Sequence, residues 1–512
     1  MEIASEVKPK SVHSQALILI IGRIASFTLT FFIPIFLARG LDPAEYGTFK
    51  QIFLIFTTLY LILQGGMVQS LYYFIPHDPN RRTSWIFQAI FFVTAAGVLA
   101  GVGLLLGGEP LAAWFSNPSL VPYLPKLALF LVLMLASCHL ETMLIAQERI
   151  AAGSTVLFLS EMIRALFIIL PLLIGRSLSA VIIGLLSFAA LRLAITAAYT
   201  VRILLHDKNR ISLIRTEGLK TQLAYALPFG AAVVVDVLQQ NLHQYAVASL
   251  FDVATFAVYS VGIMQIPIID FIYTPTTQVL MVRMSSLLKN GSNQERLALW
   301  HDVTARLALF FFPLGIFFVL IAPDMIALLF TDAYRESIPL FQISALGILP
   351  AVFLTDGILR CYARIPFILL TTSAKIVLTL LLILPLIHIA GLTGAVLTTI
   401  LVMYLGKGMM LWKIRKMMET SWGGFLPWGK LAGTLFLAVS VFLPAVFLRQ
   451  TLSIAPFTAL IFDTLIYWSA YGGLLLWTPL LPLSIREQIF AAAGRLHQAL
   501  RGTKNGVKRE AW

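Results

Sequence analysis

The chemistry of twelve ionisable residues inside long apolar runs of this chain has to be accounted for first. The cations are Arg23, Lys50, Arg164, Arg192, Lys375 and Lys407; the acids are Glu141, Glu161, Asp236, Asp270, Asp356 and Asp463. An unpaired charge at the centre of a bilayer costs roughly 3 kcal/mol or more, so each needs an opposite charge or a polar cavity. Arginine offers a planar fork to a phosphate and lysine a point charge, which makes Arg23 and Lys50 the first candidates for an anionic group. Asp236, Gln239, Gln240, Asn241, His243 and Gln244 crowd into nine residues. Of these, Asp236, Gln240 and His243 stand at i, i+4 and i+7 and share one helical face. That face suits sugar hydroxyls, and Asp236 or His243 could exchange a proton or hold a cation. Asp270, with Gln265 and Tyr273 near it and Pro267 and Pro275 flanking it, is a second ion or sugar candidate on a helix its prolines can kink.

Plainer readings compete with each of these. Lys50 lies only a few residues inside its run and can snorkel to the interface, as can Lys407. The polar cluster can serve as interhelical glue. Glu161 and Arg164, three apart, can neutralise each other, Glu141 and Asp356 suit a structural role, and Asp463 has no evident partner in the sequence.

The elements that must position these residues follow from composition. Of 512 residues 59% are hydrophobic and only 12% charged, about half the charge of a soluble domain. A spanning helix takes about 20 apolar residues. Fourteen runs qualify, at about 13–38, 47–75, 85–107, 122–147, 153–175, 178–203, 221–250, 255–282, 302–330, 337–359, 366–389, 392–412, 430–449 and 456–478. Lipid cannot satisfy an open strand edge, and the short alternating strands of a barrel are absent. The expected fold is therefore an all-α polytopic membrane protein of about fourteen transmembrane helices. The first run continues to about Ala38 without a small-residue cleavage site and reads as a retained helix.

The net charge of +13 resolves into topology. With both termini cytoplasmic, 26 of the 37 Lys and Arg fall inside, 5 outside and 6 within spans, as the positive-inside rule requires. The excess charge is no nucleic-acid footprint. Beyond residue 484, Ile485, Ile489, Phe490, Ala493, Leu496 and Leu500 recur near helical period among arginines, which reads as an interfacial helix or a solvated basic tail. The two cysteines, Cys138 and Cys361, form no disulfide or metal-site pattern. No GxSxG, P-loop or HExxH motif occurs, and the short outer loops leave no room for a catalytic domain, so a non-enzyme without a resident cofactor is expected.

Self-comparison finds a repeat. Asp42-Pro43-Ala44-Glu45-Tyr46 aligns with Asp252-Val253-Ala254-Thr255-Phe256 at an offset of 210, and Glu109 to Asn117 with Asp324 to Asp332 at 215. The same register sets Glu141 on Asp356 and Arg149 on Arg364; one residue less sets Pro171 on Pro385 and Glu161 on Lys375. Six spans is an even number, so the halves share one orientation, a parallel repeat about an axis along the membrane normal. The expected division is a six-helix bundle over 1–203, a cytoplasmic linker at 204–220, a second six-helix bundle over 221–413, an extra helix pair at 430–478 and a basic cytoplasmic tail at 484–512.

The junction Leu37-Ala38-Arg39-Gly40-Leu41-Asp42-Pro43-Ala44-Glu45-Tyr46-Gly47, preceded by Arg23 in the first helix, resembles the A-R-x-L-x-x-x-E-Y-G pattern of bacterial polysaccharide-biosynthesis flippases. These belong to the multidrug/oligosaccharidyl-lipid/polysaccharide exporter superfamily. The resemblance implies a carrier of polyprenyl-pyrophosphate-linked glycan that works by alternating access in the bacterial cytoplasmic membrane. It places Arg23 and Lys50 on cavity-lining helices, leaves coupling to Na+ or H+ open, and makes membrane lipids and other polysaccharide assembly proteins the partners to consider. A cation-coupled drug antiporter of the same fold is the alternative, and a polytopic polymerase or glycosyltransferase a more distant one.

Overall fold

A computed structural model of the chain describes residues 30–206, 216–451, 455–481 and 486–487. Arg23 and all but two residues of the expected tail helix lie outside them. The described residues form helices and turns with no strand: α1 (Thr30–Gly40), α2 (Pro43–Leu63), α3 (Met67–His77), α4 (Arg82–Leu106), α5 (Gly108–Trp114), α6 (Leu124–Ala136), α7 (Leu140–Ala146), α8 (Ile150–Gly175), α9 (Leu178–His206), α10 (Thr216–Leu250), α11 (Val253–Gly262), α12 (Ile268–Asn290), α13 (Asn293–Leu329), α14 (Ser337–Ala345), α15 (Thr355–Cys361), α16 (Ile365–Met417), α17 (Trp422–Phe425), α18 (Trp428–Thr451) and α19 (Pro456–Trp477). Among them eleven helical stretches are long and apolar enough to cross a membrane. One of these, α16, joins two helices across a non-helical Gly391, and the shorter α1 and α11 add to the set. This is an all-α, multi-pass membrane protein, consistent with the fourteen expected spans.

Several spans are broken where the sequence suggested continuous helices. The fourth is interrupted between α6 and α7 at Ser137–His139, and the tenth between α14 and α15 by a 3-10 stretch over Leu346–Val352. The eighth breaks between α11 and α12, with Pro267 as the cap that restarts it. A broken helix exposes peptide groups that lipid cannot satisfy. Here side chains and tight turns take them up, as when the Lys407 ammonium donates to the Phe353 carbonyl at 3.2 Å.

The repeat is written into the backbone. Ser116 and Thr331, Glu148 and Ala363, and Arg176 and Gly391 all have positive φ, and each pair is separated by the same 215 residues. A positive φ costs a residue other than glycine about 1 kcal/mol or more, and five of these six residues are not glycine, so the recurrence marks turns that each half needs. At the middle pair the closing bonds also match. Glu148 N–H donates to Ile145 O at 2.9 Å and Arg149 N–H to Leu144 O at 3.0 Å. Ala363 N–H donates to Arg360 O at 2.9 Å and Arg364 N–H to Leu359 O at 2.8 Å. The aligned Asp42 and Asp252 both cap helices, Asp42 accepting from Glu45 N–H at 2.8 Å and Asp252 from Ala254 and Thr255 N–H at 3.0 Å each.

The last two helices pack on α13. Pro313 has no N–H to give the Leu309 carbonyl one turn earlier, and the Tyr471 hydroxyl supplies that donor at 2.9 Å. Tyr467 donates to Pro313 O at 3.1 Å. Asp463, four residues before Tyr467 on the same face, does have a partner: Arg449 of α18 lies 3.9 Å away, a contact between adjacent helices that sequence spacing could not reveal.

Candidate functional site

Helix α2 begins at its Asp42 cap with Pro43 in the first turn, pre-set for helix, and carries Lys50 two turns inward. Helix α12 restarts after Pro267 and carries Asp270 in its first turn. Both side chains line one cavity of about 260 Å³, together with Tyr46, Gln244, Gln265 and Phe330. Lys50 Nζ sits 5.6 Å from the Tyr46 ring centroid, an attractive cation–π geometry, and Asp270 is exposed to the cavity. The site thus presents one ammonium, one carboxylate and two amides. It can hold a phosphate-sized anion, a small cation or a few sugar hydroxyls, and it is smaller than the roughly 300–1,000 Å³ of drug-sized ligand pockets.

The cavity is small because the two halves of the chain touch at both ends. At the end assigned to the outside, Arg39 donates to the Leu328 carbonyl at 2.6 Å and Tyr46 meets Tyr334 edge-on at 5.8 Å. Gly47 packs so tightly on the first turn of α11 that a Cβ would overlap the Val253 carbonyl oxygen. At the other end Gln222 of α10 donates to Ser70 Oγ at 2.8 Å, and Tyr225 stacks on Tyr73 at 4.8 Å. Gly66, at φ 75°, lets the α2–α3 bend approach the Ala226 carbonyl. Sequence reasoning missed these closures; the E-Y-G junction holds Tyr46 and Gly47, but nothing in it names what they pack against.

Helix α10 is a shared wall, and its polar cluster divides its work. Asn241 donates to Thr58 of α2 at 3.0 Å, whereas Gln239 accepts from Lys375 of α16 at 3.0 Å. Gln240 bonds Asp236 on its own helix at 2.7 Å, both exposed. His243 departs from the expected joint action with them: its Nδ1 lies 2.8 Å from the Tyr259 hydroxyl of α11. Of the expected site residues, Lys50 and Asp270 come together, Asp236 and Gln240 form a second group, His243 joins a third contact, and Arg23 lies outside the described residues.

Three ion pairs complete the picture. Glu141, at the start of α7, takes Arg192 of α9 on both oxygens at 2.9 and 3.0 Å. Asp356, at the start of α15, is 3.6 Å from Lys407 of α16. Each acid sits in the first turn of a short helix after a break, where the helix dipole favours it. Lys407 therefore does not snorkel; it lies also 3.1 Å from Thr355 Oγ1. Arg192 and Lys407 stand 215 residues apart, so the register that matched the acids would have found both partners. Glu161 and Arg164 pair as their spacing suggests, with Thr30 donating to Glu161 at 3.2 Å.

Solved structures share this fold of many helices in two repeated halves. The lipid II flippase MurJ in an inward-closed conformation superposes with a TM-score of 0.67 at 13% identity, over 89% of this chain and 97% of that one. An inward-facing multidrug-resistance MATE family transporter of the MOP superfamily gives 0.57 at 13% identity, over 77% and 96%. A single-substitution mutant of the Vibrio cholerae MATE transporter VcmN gives 0.53 at 11% identity, over 79% and 96%. At such identities the likeness shows a common fold. No curated protein matches in sequence. The chain belongs to the polysaccharide biosynthesis protein family, whose model matches residues 36–339.

Proposed function

We propose that this protein flips polyprenyl-pyrophosphate-linked oligosaccharide across the bacterial cytoplasmic membrane by alternating access, with both termini in the cytoplasm. The observation that carries the reading is the cavity holding Lys50, closed at both ends by contacts between the two halves of the chain. Membership of a polysaccharide biosynthesis family and the fold of a lipid II flippase support it. The pyrophosphate sits at Lys50, with Arg23, which lies outside the described residues, as a second cation. Asp236, Gln240 and Asp270 meet sugar hydroxyls or a coupling ion. A whole oligosaccharide exceeds 260 Å³, so loading requires one of the two closures to open, and other assembly proteins would deliver and remove the cargo.

Deletion of the protein should strand lipid-linked glycan in the cytoplasmic leaflet. In proteoliposomes, Lys50→Ala should lower its translocation on the order of tenfold, the loss of one hydrogen bond to a charged group at about 1.5–3 kcal/mol, with Lys50→Arg largely retaining it. Normal flipping by Lys50→Ala at equal expression would refute the assignment. Asp270 in the same cavity supports a second reading, a cation-coupled drug antiporter. It requires exchange of small cationic drugs for Na+ or H+ that Asp270→Asn abolishes, with lipid-linked glycan unaffected by the deletion.

A further inference from the structure

A cluster of charges joins the last helix pair to α13 outside the cavity that holds Lys50. Arg449 of α18 forks onto Asp324 of α13, with Nη2 donating to Oδ1 at 2.6 Å and Nε to Oδ2 at 3.1 Å. Asp463 of α19 is left with a contact of 3.9 Å to the same Nε, beyond hydrogen-bond reach. Its side chain is 2% exposed, and its Oδ2 is buried with no hydrogen bond among the described residues. The charged groups facing it are Asp324 from α13 and Arg449 from α18, with the Tyr467 hydroxyl one turn along its own helix already donating to Pro313 O. Two carboxylates therefore share one guanidinium in the membrane region, and the fork is committed to the first.

A second buried carboxylate that shares an opposite charge already forked onto the first, with no hydrogen bond to its Oδ2 among the described residues, is costly to keep ionised, and the arrangement becomes neutral with a single added positive charge. We propose that the Asp324–Arg449–Asp463 cluster is a proton-binding site in which one proton, taken from water, resides on the Asp463 carboxyl. A proton suits the space better than a metal ion. Sodium needs a shell of oxygens, whereas one turn either side of Asp463 on its own helix stand the buried Ala459, which has no side-chain oxygen, and the buried Tyr467, whose hydroxyl already donates to Pro313 O. Arg449, at the end of α18 assigned to the outside and 26% exposed, gives the proton a route to outer water. Because α13, α18 and α19 each supply one member, loss of the proton loosens the last helix pair from α13. This inference is independent of the cargo.

The test uses the full-length protein in lipid nanodiscs. The infrared difference spectrum should show a protonated-carboxyl stretch at neutral pH that is absent in Asp463→Asn and unchanged when choline replaces sodium. Wild-type melting temperature should fall as pH rises from about 4, the unfolded carboxyl value, until the proton is released, whereas Asp463→Asn, neutral in the folded and the unfolded state alike, should melt at or above wild type at neutral pH and lose that fall. If Asp463→Asn instead melts as low as Asp463→Ala at neutral pH, Asp463 is an ionised partner of Arg449 and the proposal is overturned. Sodium-dependent melting that vanishes in Asp463→Asn overturns it in favour of a metal-ion site.

Discussion

The two halves of the chain contain the same device built to different tightness. In the first half Arg192 Nη2 donates to both carboxylate oxygens of Glu141, both side chains are 13% exposed, and Ser160 accepts a further bond from Arg192 Nη1 at 2.7 Å. In the second half the corresponding Asp356–Lys407 contact is 3.6 Å and Asp356 is 38% exposed. Lysine cannot fork, and its ammonium spreads its donors over Thr355, the Phe353 carbonyl and the Tyr273 ring and hydroxyl. The matched turns at Glu148/Ala363 and Arg176/Gly391 keep the 215-residue register through this stretch, so Lys375 corresponds to Ser160 and not, as the prolines suggested, to Glu161; it is turned to Gln239 of the shared wall α10. One copy thus pins a broken helix in place, while the other keeps a hydrated, charge-rich surface against the helix that both halves contact. Duplication supplied a common frame, and the exchange of Arg for Lys and of Ser for Lys set what each copy does in it.

The strongest way to break this comparison is to remove the cation from each copy. Arg192→Ala strands Glu141 in a dry site and should destabilise the protein by about 3–5 kcal/mol, the cost of breaking a buried pair. Lys407→Ala should cost roughly a third to a half of that, because Asp356 retains water and the Tyr273 hydroxyl, which donates to it at 3.4 Å. Thermal unfolding in a constant detergent measures both. Equal losses would mean that the difference in exposure has no energetic meaning.

Converting one copy toward the other gives a subtler effect. Lys375→Ser restores to the second half the residue type of the first and removes a half-buried ammonium. Its expected cost in stability is within about 1 kcal/mol, while translocation of lipid-linked glycan in proteoliposomes should fall severalfold with the loss of the contact to α10. The reverse outcome, a destabilised protein that still transports, would make Lys375 a structural residue and remove the functional contrast between the halves.

Much of the frame was legible because its determinants are local. Apolar run length, the match of Asp42 to Asp252 and the 215-residue register are properties of neighbouring residues or of chemistry recurring along the chain. The same register held the Arg192–Lys407 correspondence, which becomes evident only when cations and acids are aligned together. Contacts between helices adjacent only in space were not legible. Arg449 with Asp463, Asn241 with Thr58 and Gly47 against Val253 depend on helix rotation and packing, which a polar or small residue in an apolar run does not specify. The polar cluster of α10 shows the same limit: its residues share faces as their spacing requires, but their partners belong to three different helices.

The finest discrimination between the halves lies in their matched caps. Asp42 accepts one backbone N–H, whereas Asp252 accepts two and also the Thr255 hydroxyl. That hydroxyl first, then the N–H groups of Thr255 and Ala254, hold the Asp252 carboxyl below the usual carboxylate range. Removing either cap with alanine should cost about 1 kcal/mol. The Asp252 contribution has a definite pH dependence. A carboxylate held low in the folded state stabilises fully above its unfolded value of about 3.9 and loses that stability as pH falls through the folded value. Asp252→Asn should keep most of the cap yet melt with less acid sensitivity than wild type below about pH 4. An unchanged acid limb in that variant would show that the extra hydroxyl bond leaves the cap of the second half energetically equivalent to that of the first.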